Sequence, residues 1–144
     1  MTAEPKRELM SESQFMKEIL KAFKDDDNVK IFRRNCGGMK DKNGQYVKFG
    51  EAGQADLWGI IASYRCYFCN RLCQGVHFEI ELKSEKGELT DKQVEWLQMV
   101  GEYNGIALVL RPIETDPVNL RSRIWRLLER KLCPTCYANS KLNP

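Results

Sequence analysis

The alternating segment 78–83, Phe-Glu-Ile-Glu-Leu-Lys, carries side chains that are suited to binding a divalent cation. On a β-strand its apolar residues would line one face, and Glu79, Glu81 and Lys83 would line the other. Asp56, on another predicted strand, would add a carboxylate to that polar face. Mg²⁺ prefers oxygen ligands such as carboxylates, and an adjacent amine can orient an attacking water or neutralise a phosphate. Taken alone, the same pattern also fits a strand with a plain solvated face.

Two close pairs among the six cysteines indicate a second metal site. Two Cys-x-x-Cys pairs are a usual ligand set for tetrahedral Zn²⁺, and the expected ligands are Cys66, Cys69, Cys133 and Cys136. Because a four-cysteine site has no open position, its zinc would staple segment 63–75 to the C-terminal tail and stabilise the fold. Cys73 is a spare that could replace one ligand, and Cys36 is predicted to be a free thiol. An iron–sulfur cluster is the competing interpretation.

The composition of the chain favours one intracellular domain with a core of its own. The chain has 144 residues, of which 42% are hydrophobic. Its net charge of +3 is compatible with a nucleic-acid partner but does not require one. No apolar stretch is long enough to span a bilayer, and the N-terminus lacks an apolar signal core, so we expect no membrane partner. In a reducing compartment, close cysteine pairs favour metal binding over disulfides.

The elements that must position these residues follow from hydrophobic spacing and from cap residues. The predicted order is helix 11–24, strand 29–34, strand 56–62, strand 78–83, helix 90–103, strand 106–110 and helix 117–132. Residues 1–10 are predicted to be a flexible tail, 35–44 a mobile loop or hairpin tip, and 63–75 a cysteine-bearing insert. Residues 11–132 should therefore form an α/β domain around a small mixed sheet, followed by the tail 133–144.

Three details of packing and capping also follow from the sequence. Val94, Leu97 and Val100 have the spacing of the inner face of a helix. Strand 106–110 is continuously apolar, so we expect both of its faces to be buried. Asp116-Pro117 is suited to starting the last helix.

Taken in order, these motifs resemble the PD-(D/E)XK nucleases, and among them the VRR-NUC family. The resemblance covers about residues 11–111 and rests on the segments Ser11-Glu12, Phe32-Arg33-Arg34-Asn35, Gly53-Gln54-Ala55-Asp56-Leu57 and Phe78-Glu79-Ile80-Glu81-Leu82-Lys83-Ser84, followed by Gly87 and Gln93. Ala55 stands where the family usually has a proline, which shapes the turn and binds no metal. The cysteine-bearing segments are a second departure from the small members of the family.

The resemblance implies a restriction-endonuclease-like αβββαβ core, with a mixed central sheet flanked by helices, that hydrolyses DNA with a metal ion. It implies that Asp56, Glu81 and the main-chain carbonyl of Leu82 bind Mg²⁺ or Mn²⁺. Lys83 would then activate water and contact the phosphate, in keeping with the chemistry that an amine beside such a site can supply.

Two further site residues, Glu12 and Gln93, are implied by the same resemblance, and each has an alternative. Glu12 would hold a metal-bound water or a second ion, but an acidic residue in a first helical turn also favours the helix dipole. Glu18 is the substitute candidate on that helix. Gln93 would lie near the catalytic lysine, but with Thr90 it also fits a capping box. Glu79 is expected to be a neighbour of the site, and His77 to be exposed and without a role.

The substrate and partners are also expectations from the resemblance. Small members of the family imply a homodimer that cuts branched DNA, such as Holliday junctions or flaps, because symmetric cutting needs two active sites. A restriction-like or mismatch nuclease is an alternative with the same chemistry. A zinc-stapled protein that binds nucleic acid without cutting it is another, and it would use the basic residues of the last helix, Arg121, Arg123, Arg126, Arg130 and Lys131. A regulatory domain with a cysteine redox switch is the third.

Overall fold

The computed structural model describes residues 9–35, 37–112, 119–131, 133 and 136. The helices within this part are α1 (Glu12–Ala22), α2 (Asp91–Glu102) and α3 (Leu120–Glu129). The strands are β1 (Val29–Arg33), β2 (Gly37–Lys40), β3 (Tyr46–Phe49), β4 (Leu57–Arg65), β5 (Leu72–Leu82) and β6 (Ile106–Leu110). The predicted α/β class is confirmed. Most of the predicted N-terminal tail and the predicted cap Asp116-Pro117 lie outside the described residues.

Four of the six described strands form one mixed sheet, in the order β1-β4-β5-β6. β1, β4 and β5 are antiparallel neighbours, and β6 runs parallel to β5, with α2 as the crossover between them. Leu57 pairs with Ile80 in the β4–β5 register. Since the strands are antiparallel, continuing this register by one residue sets Asp56 opposite Glu81. β2 and β3 form a separate hairpin, in agreement with the hairpin alternative for segment 35–44.

The hydrophobic core lies on one face of the sheet, between the strands and the helices α1 and α3. Phe15 and Ile19 of α1 and Ile124 of α3 are buried there against strand residues such as Phe78 and Ile61. The apolar residues of β5 therefore face the core, as the alternation of segment 78–83 predicted. On the opposite face α2 covers the sheet, and its side chains hydrogen-bond to the two buried glutamates of β5. Within the described part of the chain, no helix is both long and apolar enough to cross a membrane.

Three sequence-based details differ from the structure. Segment 63–75 is largely the continuation of β4 and β5, which pair out to Arg65 and Leu72, so the cysteines occupy the end of a long hairpin. Val94 is exposed, because α2 meets the sheet through a stripe turned toward Gln93 and Trp96. β6 is not buried on both sides, since its Val109 is 36% exposed.

Candidate active site and candidate metal centre

Asp56 and Glu81 meet at the end of the β4–β5 pairing. The main-chain N–H of Leu82 donates a hydrogen bond to Asp56 Oδ2 at 2.8 Å, which fixes the aspartate against β5. Glu81 is only 3% exposed, and its Oε2 atom is buried without a hydrogen-bond partner among the described residues. Burial and the neighbouring charge of Asp56 raise the pKa of Glu81 to about 7, although Lys83 acts in the opposite direction. The two carboxylates therefore repel each other when both are ionised.

A glycine lets the chain bring Asp56 to this position. Gly53 has a φ of 86°, a left-handed conformation that side chains with a Cβ rarely adopt. A Cβ at Gly53 would also overlap the main-chain carbonyl of Lys92 in the first turn of α2. The segment before β4 thus packs directly on the start of α2, which is where Gln93 is located. This contact explains why a glycine is needed at the first position of the Gly53-Gln54-Ala55-Asp56 motif.

Gln93 serves the helix cap and the candidate site at once. Its Oε1 accepts a hydrogen bond from the main-chain N–H of Thr90 at 2.9 Å, and its own N–H donates to Thr90 Oγ1 at 3.2 Å. Its Nε2 donates to Glu81 Oε1 at 2.8 Å. The two interpretations of Gln93 are therefore not alternatives, because the amide has a separate atom for each contact.

Lys83 lies on the same side of β5 as Glu81. Its Nζ is 3.7 Å from Glu81 Oε1, and its side chain is 15% exposed. The main-chain N–H of Lys83 donates to the carbonyl of Leu110 at 3.0 Å, so pairing with β6 continues past the end of β5 and holds the lysine in register. The amine is thus close to the carboxylates and still reaches solvent, which is the arrangement needed for a group that contacts water or phosphate.

Glu12 lines a cleft of about 240 Å³ between α1 and the ends of the strands. Its Oε1 accepts a hydrogen bond from the main-chain N–H of Ser84 at 2.7 Å, only one residue beyond Lys83. The full lining is Glu12, Ser13, Met16, Lys17, Leu20, Arg33, Asp56 and Leu82. Glu18, the substitute candidate, is not among the residues that line this cleft. Sequence reasoning did not single out Lys17, one helical turn after Ser13, because an exposed lysine on a helix has no distinguishing pattern.

Glu79 is committed to contacts outside this cleft. It is 1% exposed and forms an ion pair with Arg34, and it accepts a hydrogen bond from Trp96 Nε1 at 3.0 Å. His77 Nε2 is 3.4 Å from the other side of the same carboxylate. Burial and the charge of Arg34 lower the pKa of His77. The His77 side chain is 44% exposed, in agreement with the exposure expected from the sequence. Glu79 therefore has the neighbour position that was predicted, with its oxygens engaged by protein groups.

The residues at the Asp56–Glu81 junction fit a hard divalent cation on one specific observation. Among the residues that the structure describes, no group donates a hydrogen bond to the buried Oε2 atom of Glu81, and a carboxylate so placed costs free energy unless it gains a cation or a proton. The atoms available as metal ligands are oxygens, which Mg²⁺ and Mn²⁺ prefer more strongly than zinc does. The alternative interpretation of the strand as one with a plain solvated face is excluded, since Glu79 and Glu81 are buried.

The two cysteine pairs come together at the far end of the β4–β5 hairpin. The Sγ atoms of Cys66, Cys69, Cys133 and Cys136 all lie within 4.8 Å of one another. The contacts across the pairs are 3.8 Å between Cys66 and Cys136 and 3.6 Å between Cys69 and Cys133. Four sulfurs at about 2.3 Å from a zinc ion are about 3.8 Å apart in a regular tetrahedron. The cluster could hold a metal ion such as zinc, as the spacing of the pairs predicted.

Local structure at the cluster prepares one sulfur to act as a ligand. Burial alone would raise the pKa of Cys66, but main-chain N–H groups of Cys69 and Phe68 hydrogen-bond its sulfur and lower the pKa to about 6. Cys73 is buried nearby, and burial raises the pKa of its thiol. Within the described residues the four-sulfur cluster does not include Cys73, and Cys36 lies outside them.

Comparison with known proteins adds no family to this geometry. No protein-family model matches the chain, and a search of curated proteins finds no match. The residues that the structure describes form a mixed α/β protein with a four-stranded mixed sheet, a two-stranded hairpin, three helices and a four-cysteine cluster that could bind metal. Any finer assignment depends on the side chains described above.

Proposed function

We propose that this chain is a metal-dependent DNA endonuclease of the PD-(D/E)XK type, related to the VRR-NUC nucleases and acting on branched DNA. The observation that carries the proposal is the junction of Asp56 with the buried, partly unpartnered carboxylate of Glu81, with the Lys83 amine 3.7 Å from that carboxylate. Acidic residues next to a lysine are common on surfaces. A buried glutamate beside a half-buried aspartate needs a reason, and a bound cation supplies one.

The element order supports the same proposal. When the β2–β3 hairpin is set aside, the sequence of elements is α1, β1, β4, β5, α2 and β6, which corresponds to αβββαβ. The mixed sheet places the ends of β4 and β5 beside the start of α2, so that three separate elements contribute Asp56, Glu81 and Gln93. α1 contributes Glu12 from the other side of the cleft. This order and placement support a restriction-endonuclease-like core, which is the core that the sequence resemblance implies.

In the proposed mechanism the protein groups hold the ion, position the phosphate and remain in place during hydrolysis. Asp56, Glu81 and the carbonyl of Leu82 would hold Mg²⁺ or Mn²⁺, and a bound ion of this kind lowers the pKa of water and neutralises charge on a phosphate. Lys83 adds a positive charge where negative charge grows on the phosphate. Gln93 keeps Glu81 oriented through its 2.8 Å hydrogen bond.

The cleft also has cationic groups that favour a phosphate ligand. Lys17 of α1 and Arg33 at the end of β1 line it together with Asp56. Two cations beside a carboxylate site raise the local concentration of a polyanion and offset its repulsion by the acidic residues. Glu12 would then hold a water, or a second ion, between α1 and Ser84.

The test is a cleavage assay on labelled four-way junction, flap, linear duplex and single-stranded DNA, with Mg²⁺ or Mn²⁺. Glu81→Gln and Lys83→Ala should abolish cleavage. Glu85→Gln and Lys86→Ala are the matched controls, since both residues are exposed in the loop that follows β5, and they should retain activity. Zinc content and circular dichroism would establish that every variant is folded. Full activity of Lys83→Ala would refute the assigned role of the lysine.

A non-catalytic nucleic-acid-binding protein is the second candidate, and α3 favours it. Arg121, Arg123 and Arg126 are all exposed on this helix, and Arg121 also forms an ion pair with Asp26. Tight binding of all substrates without any cleavage would support this candidate over the nuclease. Size-exclusion chromatography with light scattering would test the proposed homodimer, and a brown colour of the purified protein would favour an iron–sulfur cluster over the proposed zinc.

A further inference from the structure

The β2–β3 hairpin, residues 37–49, projects from the domain as a ribbon. All eight residues of its two strands are exposed, and none belongs to the hydrophobic core. A two-stranded hairpin alone is marginally stable in water at best, so this ribbon gains little from its own packing. Its side chains are therefore free to contact a partner.

The two faces of the ribbon differ in chemistry. Residues that pair across the strands share a face, and Lys40 pairs with Tyr46 while Gly38 pairs with Lys48. A Cβ at Gly38 would overlap the ring of Tyr46, so that ring lies across the glycine between the two lysines. We call Lys40, Tyr46 and Lys48 the cationic face. The opposite face is apolar and consists of Met39, Val47 and Phe49.

The ribbon carries most of the net charge of the chain. Its charged residues are three lysines, Lys40, Lys42 and Lys48, against a single acid, Asp41. This gives +2 in thirteen residues, compared with +3 for all 144. Asp41 Oδ1 accepts hydrogen bonds from the main-chain N–H groups of Asn43 and Gln45, at 2.8 and 2.9 Å, so its carboxylate is engaged in the turn. The surface that the ribbon presents to a partner is therefore complementary to a polyanion.

Both ends of the ribbon are rooted at the candidate active site. Before it, Arg33 lines the cleft with Asp56, and the main-chain N–H of Arg34 donates to the carbonyl of Asp56 at 2.9 Å. After it, the chain reaches Asp56 through only the segment 50–55. Along the chain, the ribbon is therefore flanked on both sides by residues that line the cleft.

From this placement and charge we infer that the ribbon is an arm that binds the phosphate backbone of double-stranded DNA next to the bond to be cut. The inference rests on the proposed function for the identity of the polyanion. A two-stranded ribbon fits the major groove of B-DNA, which is about 12 Å wide, and lysines on its face reach the phosphates on either side. Tyr46 would contact the sugar or base edge between them.

The test is fluorescence anisotropy with a labelled mixed-sequence duplex, without divalent cations so that no cleavage occurs. The variant Lys40→Gln/Lys48→Gln neutralises the cationic face. Lys21→Gln/Lys24→Gln is the matched control, because it removes the same charge from exposed positions at the end of α1. The ribbon variant should lower affinity at least about tenfold and reduce the slope of log K against log salt by about 2, at about 0.9 per phosphate contact. The control should leave the slope unchanged.

Three other outcomes would overturn the inference, and a fourth would support it without the nuclease. Equal losses in both double variants would mean that only net charge matters. If the unaltered protein does not bind the duplex, double-stranded DNA is not the ligand of the ribbon. Unchanged DNA binding with loss of self-association, measured by sedimentation, would make the ribbon a contact between copies of this chain. Ribbon-dependent binding without any cleavage in Mg²⁺ would support the arm and refute the nuclease, so the two proposals fail separately.

Discussion

Replacing Glu81 by glutamine should stabilise the metal-free protein at the same time as it removes the proposed activity. Burial and Asp56 raise the pKa of Glu81 from 4.5 to about 7. Because the unfolded chain releases this proton first, the shift makes the folded state less stable as pH rises from about 4.5 to 7 and above. At 1.36 kcal/mol per pKa unit, ionised Glu81 costs about 3 kcal/mol of folding free energy at pH 8. Glutamine has similar shape and no charge, and can still accept the hydrogen bond from Gln93.

The assay is urea denaturation of the zinc-loaded protein in Mg²⁺-free buffer, with the original chain and the variant measured side by side. The variant should be more stable by about 3 kcal/mol at pH 8 and by less than about 1 kcal/mol at pH 5. Comparing the two proteins at each pH removes the effect of pH on the cysteine site, which is the same in both. Added Mg²⁺ should stabilise the original chain at pH 8 and leave the variant unchanged, because only the former binds it.

Two results would refute this reasoning. A variant that is no more stable at pH 8 would mean that Glu81 does not carry an unfavourable charge in the folded protein. An equal gain at pH 5 and pH 8 would mean that the gain comes from packing and not from ionisation. Glu85→Gln, in the exposed loop after β5, should change stability little at either pH and serves as the control.

Three further predictions follow from the site and its supports. Gln93→Ala should lower cleavage and also cost about 1 kcal/mol of stability, because the main-chain N–H of Thr90 loses its capping-box acceptor. Gln93→Glu should keep that acceptor and still impair cleavage, as a thermal melt and a cleavage assay would show. Gly53→Ala should destabilise the protein by at least about 1 kcal/mol, because its φ is left-handed and Lys92 blocks a Cβ; Gly101→Ala, with open space around it, is the control and should be neutral or stabilising in the same urea titration. Cys133→Ser should lower the zinc content measured by atomic absorption and the melting temperature together, and a melting temperature equal to that of the original chain would show that the cluster does not stabilise the fold.

The cleft, the ribbon and the cysteine cluster lie on different parts of the fold, so variants at each of them test a different part of the proposal. The cleft that contains Asp56 lies between α1 and the strand ends, and the ribbon leaves the domain from the end of β1. The four-cysteine cluster is at the opposite end of the β4–β5 hairpin, where Arg65 pairs with Leu72. A variant at the cluster should therefore affect stability, whereas a variant in the ribbon should affect affinity.

The sequence by itself determined the features that depend on a local period or a short motif. The alternation of segment 78–83 predicted which side chains of β5 enter the core, because the two faces of a strand alternate whatever the strand packs against. Thr90 placed the start of α2 at the observed residue, and the first helix was predicted to begin after Ser11 or Ser13, of which Ser11 is the observed cap. The two Cys-x-x-Cys pairs predicted the ligands of a cluster that the structure brings together.

Only the tertiary structure decided which of these features meet, and how deeply they are buried. Asp56 faces Glu81 because of the β4–β5 register, and Glu81 becomes a buried carboxylate because α2 covers that face of the sheet. The length of the β4–β5 hairpin, the exposure of Val94 and the presence of Lys17 in the cleft are likewise set by packing between distant segments. A periodic pattern assigns a side chain to a face, but the neighbour across that face is chosen by contacts far apart in the chain, and these have no local signature.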